Sequence, residues 1–182
     1  GAIWSSCSPD FGEQGVIDRF GQIEPKVLFC VDGYFYNGKS HNCLGKIKSI
    51  TARLPSLMQV VIFDYASSDN ISINNSILYQ EIVDNYEPNE IDFERVGFDH
   101  PLYIMYSSGT TGVPKCIVHG HGGTLVQHLK EHQLQTNISA GDRVFYFTTC
   151  SWMMWNWLVS ALGTGATIML YDGSPTYPDN IV

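Results

Sequence analysis

The sequence has little positive charge. It contains 10 Lys and Arg residues against 18 Asp and Glu residues, and its formal net charge is −8. With no basic cluster, nucleic acid and anionic membranes are excluded as the main partners, because both attract basic surfaces. No apolar run reaches the length that crosses a bilayer. An acidic chain that binds an acidic ligand must therefore concentrate its few positive features in one place.

Cysteine-pairing motifs are also absent. The five cysteines are odd in number and none forms a C-x-x-C pair, which favours the reduced thiols of a cytosolic chain over a disulfide framework. The first residue is Gly rather than Met, so we expect a partial chain of a longer protein. Hydrophobic content of 44% and aromatic content of 13% indicate a globular fold. The length fits a single domain over residues 1–182.

The apolar runs predict an α/β fold. Strands are predicted over residues 26–31 and 59–63, and a helix is predicted between them over residues 41–53. The near-continuous β-branched composition of residues 59–63 is typical of a parallel strand that is covered on both faces. This order predicts βαβ units and a mostly parallel sheet.

Further elements follow from the same reasoning. Helices are predicted over residues 11–22, 79–86, 121–135 and 152–162, and strands over residues 34–36, 144–147 and 166–171. Ser8 or Asp10 is predicted to cap the first of these helices. The helix that begins near His121 is predicted to bring its N-terminus, which favours anions, close to the segment described next.

One segment combines glycines, hydroxyl side chains and a single fixed charge: Tyr106-Ser107-Ser108-Gly109-Thr110-Thr111-Gly112-Val113-Pro114-Lys115. β-favouring runs flank it, so the pattern predicts strand, loop, strand. Uncovered backbone N–H groups, hydroxyls and an ammonium suit the oxygens of a polyphosphate. The glycine spacing excludes a Walker A loop and a dinucleotide fingerprint. A solvated hairpin loop is the simpler alternative.

The whole string resembles the phosphate-binding signature of the adenylate-forming, or AMP-binding, enzymes. The segments that flank it, and the first twelve residues, resemble the acetoacetyl-CoA synthetase branch of that family, namely Asp99-His100-Pro101-Leu102 and Trp152-Met153-Met154-Trp155-Asn156. The resemblance covers essentially the whole chain. It implies that residues 1–182 are an incomplete N-terminal AMP-binding domain, without the rest of that domain and the small C-terminal domain.

The resemblance also implies a reaction: ATP-dependent activation of acetoacetate through an acyl-adenylate, followed by transfer to CoA, in the cytosol. Mg²⁺ would be carried by ATP. Lys115 and Thr110 are the implied catalytic residues. The implied nucleotide-binding residues are Ser107, Ser108, Gly109, Thr110, Thr111, Gly112 and Lys115. The implied substrate pocket consists of Trp152, Met153, Met154, Trp155 and Asn156.

The sequence departs from the family in what it lacks. It has no Tyr-Gly-x-Thr-Glu segment for adenine and no later catalytic lysine segment, so we expect the isolated chain not to turn over. Ser151 stands where the relatives are expected to have Gly. Two alternatives stay open. One is another short-chain enzyme, such as an acetyl- or propionyl-CoA synthetase, and the other is a truncated, non-catalytic nucleotide-binding module. The sequence does not determine the oligomeric state.

Two histidine pairs suggest metal ligands. His128 and His132 are one helical turn apart, as zinc ligands often are, and His119 and His121 are two residues apart. However, Leu129 follows His128, where a zinc protease motif has Glu. Packing on or under a helix is the favoured interpretation, and we expect no metal site made by the protein alone.

Overall fold

The computed structural model describes residues 1–66, 72–107 and 112–178. Its strands are β1 (Trp4–Ser5), β2 (Val27–Val31), β3 (Gly33–Tyr36), β4 (Lys39–Asn42), β5 (Gln59–Phe63), β6 (Ser76–Leu78), β7 (Pro101–Ser107), β8 (Lys115–Gly120), β9 (Arg143–Phe145) and β10 (Thr167–Met169). Its helices are α1 (Glu13–Phe20), α2 (Leu44–Ala52), α3 (Tyr79–Asn85), α4 (His121–Lys130) and α5 (Met153–Ser160). A π-helical turn, Glu131–Gln135, continues α4, and a 3-10 turn, Ala161–Thr164, continues α5.

The chain divides into two compact units. One, the loop unit, contains the described parts of residues 1–8 and 92–171. The other, the inserted unit, contains those of residues 9–91 and the segment that starts at Asp172. Among the described residues, four strand pairings are parallel and two are antiparallel. The predicted α/β fold with mostly parallel pairing is confirmed. No described helix is both long and apolar enough to cross a membrane.

The inserted unit is built on a parallel three-stranded sheet in the order β2-β5-β6. The central strand β5 has three consecutive buried residues, Val60, Val61 and Ile62, as its β-branched composition predicted. Ile47 of α2 packs in the same core cluster as Val60 and Ile62. Full burial of one such aliphatic side chain stabilises the fold by about 2 kcal/mol.

The prediction of a helix from residue 41 is wrong at its start. Residues 39–42 form β4, which pairs antiparallel with β3. Asn37 and Gly38 both have positive φ angles, 50° and 70°, which is the geometry of a two-residue hairpin turn. Since that turn directs the following residues back along β3, the helix begins only at Leu44.

The predicted cap of α1 is also wrong. The helix begins at Glu13 with Gly12 at its N-cap position and no side-chain hydrogen bond there. Ser8 and Asp10 lie too far before this start to reach the first free N–H groups. Val16 and Phe20 are the buried residues of α1.

A buried carboxylate joins three elements of the inserted unit. Asp32 follows β2 directly and is completely buried. Its Oδ1 accepts hydrogen bonds from the backbone N–H groups of Tyr65 at 2.8 Å and Ala66 at 2.9 Å. Its backbone N–H donates to Phe63 O, and its carbonyl accepts from the N–H of Cys43. Asp32 therefore fixes the ends of β2 and β5 and the approach to α2.

The loop unit has two small sheets. β1 pairs parallel with β7, which pairs antiparallel with β8, and β9 pairs parallel with β10. Leu158 of α5 and Ala161 are buried against Val144 of β9 and Ala166. The apolar residues of α5 thus anchor its C-terminal half in a core, which leaves its N-terminal end at the surface.

Two of the four histidines that suggested a metal site lie in the core of the loop unit. His128 and His132 are 8% and 0% exposed, and the ring of His132 packs on Trp157. Ser160 Oγ donates to Trp157 O, so the 2.8 Å contact between His132 Nε2 and Ser160 Oγ requires a proton on Nε2. Among the described residues, no group of three or more His, Cys, Asp or Glu side chains is arranged to hold a metal ion.

We expect Asp32→Ala to lower the free energy of unfolding by about 3 kcal/mol, because two amide donors lose their buried acceptor. Urea unfolding of the purified protein measures this loss. Asp64→Ala removes an exposed carboxylate from the same segment and serves as the matched control. Equal losses in the two variants would contradict the bracing role of Asp32.

The pH dependence of stability should report the two buried imidazoles. Burial lowers the pKa of His128 and of His132 below the ordinary value of 6.5. As the pH falls, the unfolded chain therefore takes up protons first, so stability is full above pH 6.5 and declines toward the lower folded-state pKa.

The double substitution His128→Gln/His132→Gln should flatten that decline between about pH 7.5 and about pH 5.5, because an amide does not titrate in this range. Gln at position 132 also keeps a donor toward Ser160. Urea unfolding as a function of pH measures the effect. A decline as steep as that of the unsubstituted protein would show that other groups cause it.

Candidate functional site

The glycine-rich segment joins the two strands of an antiparallel hairpin. Aromatic and apolar residues such as Tyr103 and Ile104 favour β7, which ends at Ser107. Lys115 begins β8 and stands directly opposite Ser107 in the ladder. The predicted strands on both sides of the loop are therefore confirmed.

The middle of the loop lies outside the described residues. Four of the residues that the resemblance assigns to the nucleotide belong to it: Ser108, Gly109, Thr110 and Thr111. The structure places the other three, Ser107, Gly112 and Lys115, at the two ends of the loop. Opposite residues of an antiparallel pair lie about 5 Å apart and face the same side of the sheet, so Ser107 and Lys115 project together.

Gly112 has a backbone conformation that favours glycine. Its φ angle is +103°, in the region that L side chains rarely adopt. Open space surrounds the position where a Cβ would stand, so conformation rather than crowding selects glycine here. The chain can therefore reverse direction between the loop and Pro114 without a side chain over the backbone.

Lys115 presents its ammonium to solvent at the base of the loop. The residue is exposed, and it forms no ion pair with any carboxylate of the described residues. A fixed positive charge without a neighbouring carboxylate attracts an anion most strongly when that anion is held by other groups close by. The hydroxyl of Ser107, opposite Lys115 in the ladder, is such a group.

The helix N-terminus is not part of this site, contrary to the sequence prediction. α4 begins after Gly120, which pairs with Pro101 at the opposite end of the hairpin from Lys115. Five strand steps separate Gly120 from Lys115, or about 17 Å. The first helical N–H groups are also occupied, because His121 N donates to His100 O and Gly122 N to Phe98 O, both at 2.9 Å. The prediction failed because β8 runs away from the loop.

The predicted substrate-pocket residues lie at the start of α5. Trp152 is the N-cap residue and is 66% exposed, and Met153 is 45% exposed. Met154, Trp155 and Asn156 are half-buried. The buried residue of the helix is Leu158, further along. The aromatic cluster is therefore only partly used for the core, and its first residues remain available at the surface.

A small recess brings one of these residues close to the strand that enters the loop. Asn156 lines it, and its Nδ2 donates to Met105 Sδ at 3.7 Å. The other lining residues are Trp4, Ser5, Ser6, Tyr103, Ile104, Met105, Tyr106, Cys150 and Ser151. Of the five predicted pocket residues, Asn156 is thus the one placed at this recess.

The recess includes residues that sequence reasoning did not connect with the site. Ser5 ends β1, Ser6 follows it, and both precede the loop by about a hundred positions along the chain. No local pattern marks them, since serines after a short strand are ordinary turn residues. Only the parallel pairing of β1 with β7 brings them beside Tyr106.

Comparison with known proteins places this geometry in a family. The sequence model described as AMP-binding enzyme matches residues 1–182. Acetoacetyl-CoA synthetase of Gallus gallus is 54% identical to this chain over 98% of it and 28% of that protein. Malonamoyl-CoA synthetase of Penicillium aethiopicum is 48% identical over 97% of this chain and 26% of that protein.

A solved structure supports the same family. Acetoacetyl-CoA synthetase from Streptomyces lividans matches with a TM-score of 0.93 and 46% identity, over 98% of this chain and 27% of that chain. The chain therefore spans less than a third of the length of these relatives. The resemblance seen in the glycine-rich segment is confirmed over the full sequence. The chain belongs to the AMP-binding enzyme family.

Proposed function

We propose that this chain is part of an acid–thiol ligase that activates acetoacetate with ATP and transfers it to CoA. One observation carries the proposal: a glycine- and hydroxyl-rich loop begins at Ser107 and leads into Lys115, which stands opposite Ser107. Sequence identity of about one half to proteins named acetoacetyl-CoA synthetase supports this proposal. Residues 1–182 would then be one part of a larger AMP-binding domain.

In the first step, an acetoacetate carboxylate oxygen attacks the α-phosphorus of ATP. The bond between that phosphorus and the oxygen of the β-phosphate breaks, which gives an acyl-adenylate and pyrophosphate. Negative charge builds on the leaving pyrophosphate, and Lys115 stabilises it from the base of the loop. The N–H groups and hydroxyls of residues 107–111, with Thr110 among them, hold the β- and γ-phosphates.

Loop movement accompanies this step. Gly112 already occupies a left-handed backbone conformation at the end of the loop, and Gly109 supplies a second position without a Cβ. The loop then closes over the nucleotide and opens for release of pyrophosphate. Ser107 and Lys115 are paired in the ladder, so they define the two ends of this segment.

Magnesium is a hard cation that prefers oxygen ligands and usually binds through the phosphates of its nucleotide. The hydroxyls of Thr110 and Thr111 are oxygen donors of the kind that complete such a shell. Mg²⁺ would neutralise phosphate charge and orient the α-phosphate, and the protein would contribute hydroxyls rather than a cage of carboxylates. These residues fit a metal that is carried by ATP.

In the second step, the CoA thiol, after losing its proton, attacks the acyl carbonyl. The bond to AMP breaks and a thioester forms. We assign the acyl pocket and the approach of the thiol to residues 152–156. The exposure of Trp152 and Met153 supports this assignment, since residues at the start of α5 are free to contact a ligand.

The substrates are small molecules, and we place the protein in the cytosol. All five cysteines lie in the described part of the chain, and none is joined in a disulfide. Reduced thiols are typical of a cytosolic protein.

A different acid is the alternative within the same reaction class. A protein named malonamoyl-CoA synthetase is 48% identical to this chain, so identity of about half does not by itself select acetoacetate. One methylene in an apolar pocket changes the preference for a substrate by only about 10- to 200-fold. The acid must therefore be identified by direct comparison of acetoacetate, malonamate, acetate and propionate.

We expect Lys115→Ala to lower kcat/KM for acetoacetate-dependent ATP–pyrophosphate exchange by about 100-fold, because one electrostatic donor to the transition state is worth about 3 kcal/mol. The assay uses the natural full-length protein. Lys48→Ala, at an exposed position on α2, removes the same charge and should retain full exchange.

The outcomes separate the alternatives. Exchange with one of the other acids but not with acetoacetate would reject the substrate and keep the reaction class. Absence of exchange with all four acids would reject the ligase and favour a non-catalytic nucleotide-binding module. Equal activity of Lys115→Ala and the unsubstituted protein would reject the assigned role of Lys115.

We expect Trp152→Ala to raise the KM for acetoacetate by about tenfold or more and to leave the KM for ATP within about twofold. The side chain is exposed, so the folded state should lose little stability. Leu162→Ala, which truncates another exposed apolar side chain after α5, is the matched control. A parallel rise in both KM values would place Trp152 outside the acyl pocket.

A further inference from the structure

The side chain of Ser5 joins the first strand to the strand that enters the loop. Ser5 Oγ lies 2.9 Å from Ile104 O and 2.9 Å from the hydroxyl of Tyr106. Both partners are on β7, two residues apart. Ser5 and Tyr106 are half-buried, so water competes only partly for these bonds.

The proton directions in this group are determined by its chemistry. A serine hydroxyl has one proton, and the carbonyl oxygen of Ile104 can only accept. Ser5 Oγ is therefore the donor toward Ile104 O. The Tyr106 hydroxyl oxygen also lies in the acceptor direction of Ser5 Oγ, so the single Ser5 proton is shared between two acceptors of β7, Ile104 O and Tyr106 Oη.

The contact between Ser5 and Tyr106 lies just beyond the point where the pairing of β1 with β7 ends. β1 pairs with β7 only at Tyr103 and Ile104, whereas β8 pairs with β7 as far as Ser107. On its β1 side, the last part of β7 has no strand neighbour among the described residues. The hydroxyl of Ser5 extends the contact by two residues, to Tyr106, which directly precedes Ser107.

We propose that Ser5 is a positioning residue for the phosphate-binding loop and acts through Tyr106. This inference rests on the function proposed above. Fixing the Tyr106 ring fixes the backbone direction at Ser107, where the loop begins, and with it the ladder pair between Ser107 and Lys115. Ser5 itself touches no reacting atom in this assignment. Its effect should therefore fall on nucleotide binding rather than on the acid.

A purely structural role for Ser5 predicts a different result. Ser6, the next residue, donates to the carbonyl of Cys150, so the segment after β1 also holds a second loop of the unit. Loss of packing alone would lower the unfolding midpoint and the active fraction, and it would leave both KM values unchanged. A positioning role raises the KM for ATP in the molecules that are folded.

The test is a double-mutant cycle on the natural full-length protein, with Ser5→Ala, Tyr106→Phe and the double variant. Each single variant should raise the KM for ATP in the exchange assay by about threefold to tenfold, as expected for one lost hydrogen bond. The KM for acetoacetate should change by less than about twofold. The double variant should raise the KM for ATP no further than Ser5→Ala alone, because each single variant already lacks the bond between Ser5 and Tyr106.

Two further variants control this measurement. Ser5→Thr retains the hydroxyl and should restore the KM for ATP to within about twofold of the unsubstituted value. Ser56→Ala removes another half-buried serine that donates to a backbone carbonyl, that of Pro25, and should leave both KM values unchanged. Tyr106→Phe keeps the ring in place, so it tests the bond even if Ser5→Ala folds poorly.

Unchanged KM for ATP in Ser5→Ala and Tyr106→Phe, or additive effects in the double variant, would overturn the proposal while the unsubstituted protein still catalyses exchange. Absence of exchange in the unsubstituted protein would overturn the proposed function and this inference together. A rise in the KM for ATP in both single variants, with no further rise in the double variant, supports the positioning role.

Discussion

The antiparallel ladder between β7 and β8 determines where the candidate groups of the site lie. Because Ser107 stands opposite Lys115, a hydroxyl and an ammonium meet at the base of the loop, although seven residues separate them in the sequence. The same ladder places Gly120, and with it the start of α4, at the far end of the hairpin. Backbone pairing thus places the Ser107 and Lys115 side chains, and not the start of a helix, at the base of the loop.

Where residue type and local geometry agree, the sequence was sufficient to predict the fold. β5 is the clearest case, because three buried β-branched residues are what a central parallel strand requires. β4 was not predicted, since Lys39 to Asn42 contains no typical strand residue. Its conformation is imposed by the turn at Asn37 and Gly38 and by pairing with β3. Tertiary pairing therefore overrides the weak helical pattern at that point.

The candidate site likewise has one part that the sequence predicts and another part that it does not. The loop and Lys115 form one continuous string, which sequence reasoning could detect as a unit. Ser5 and Tyr106 are 101 residues apart, and no rule of local spacing connects them. The spacing of His128 and His132 suits zinc ligands, but it equally suits two buried rings, of which that of His132 packs on Trp157. Burial distinguishes packed rings from zinc ligands, and the spacing of residues along the sequence does not determine burial.

The interleaving of the two units has a consequence for the order of folding. The chain completes β1, leaves the loop unit after residue 8 and returns to it at residue 92. The β2-β5-β6 sheet lies entirely before β7 in the sequence, and the β7–β8 hairpin joins strands that are neighbours along the chain. The pairing of β1 with β7 joins residues about a hundred positions apart in the sequence. Contacts at such a large sequence separation form slowly. Pulsed hydrogen exchange should therefore find the amides of β1 protected last, after the β7–β8 hairpin has formed.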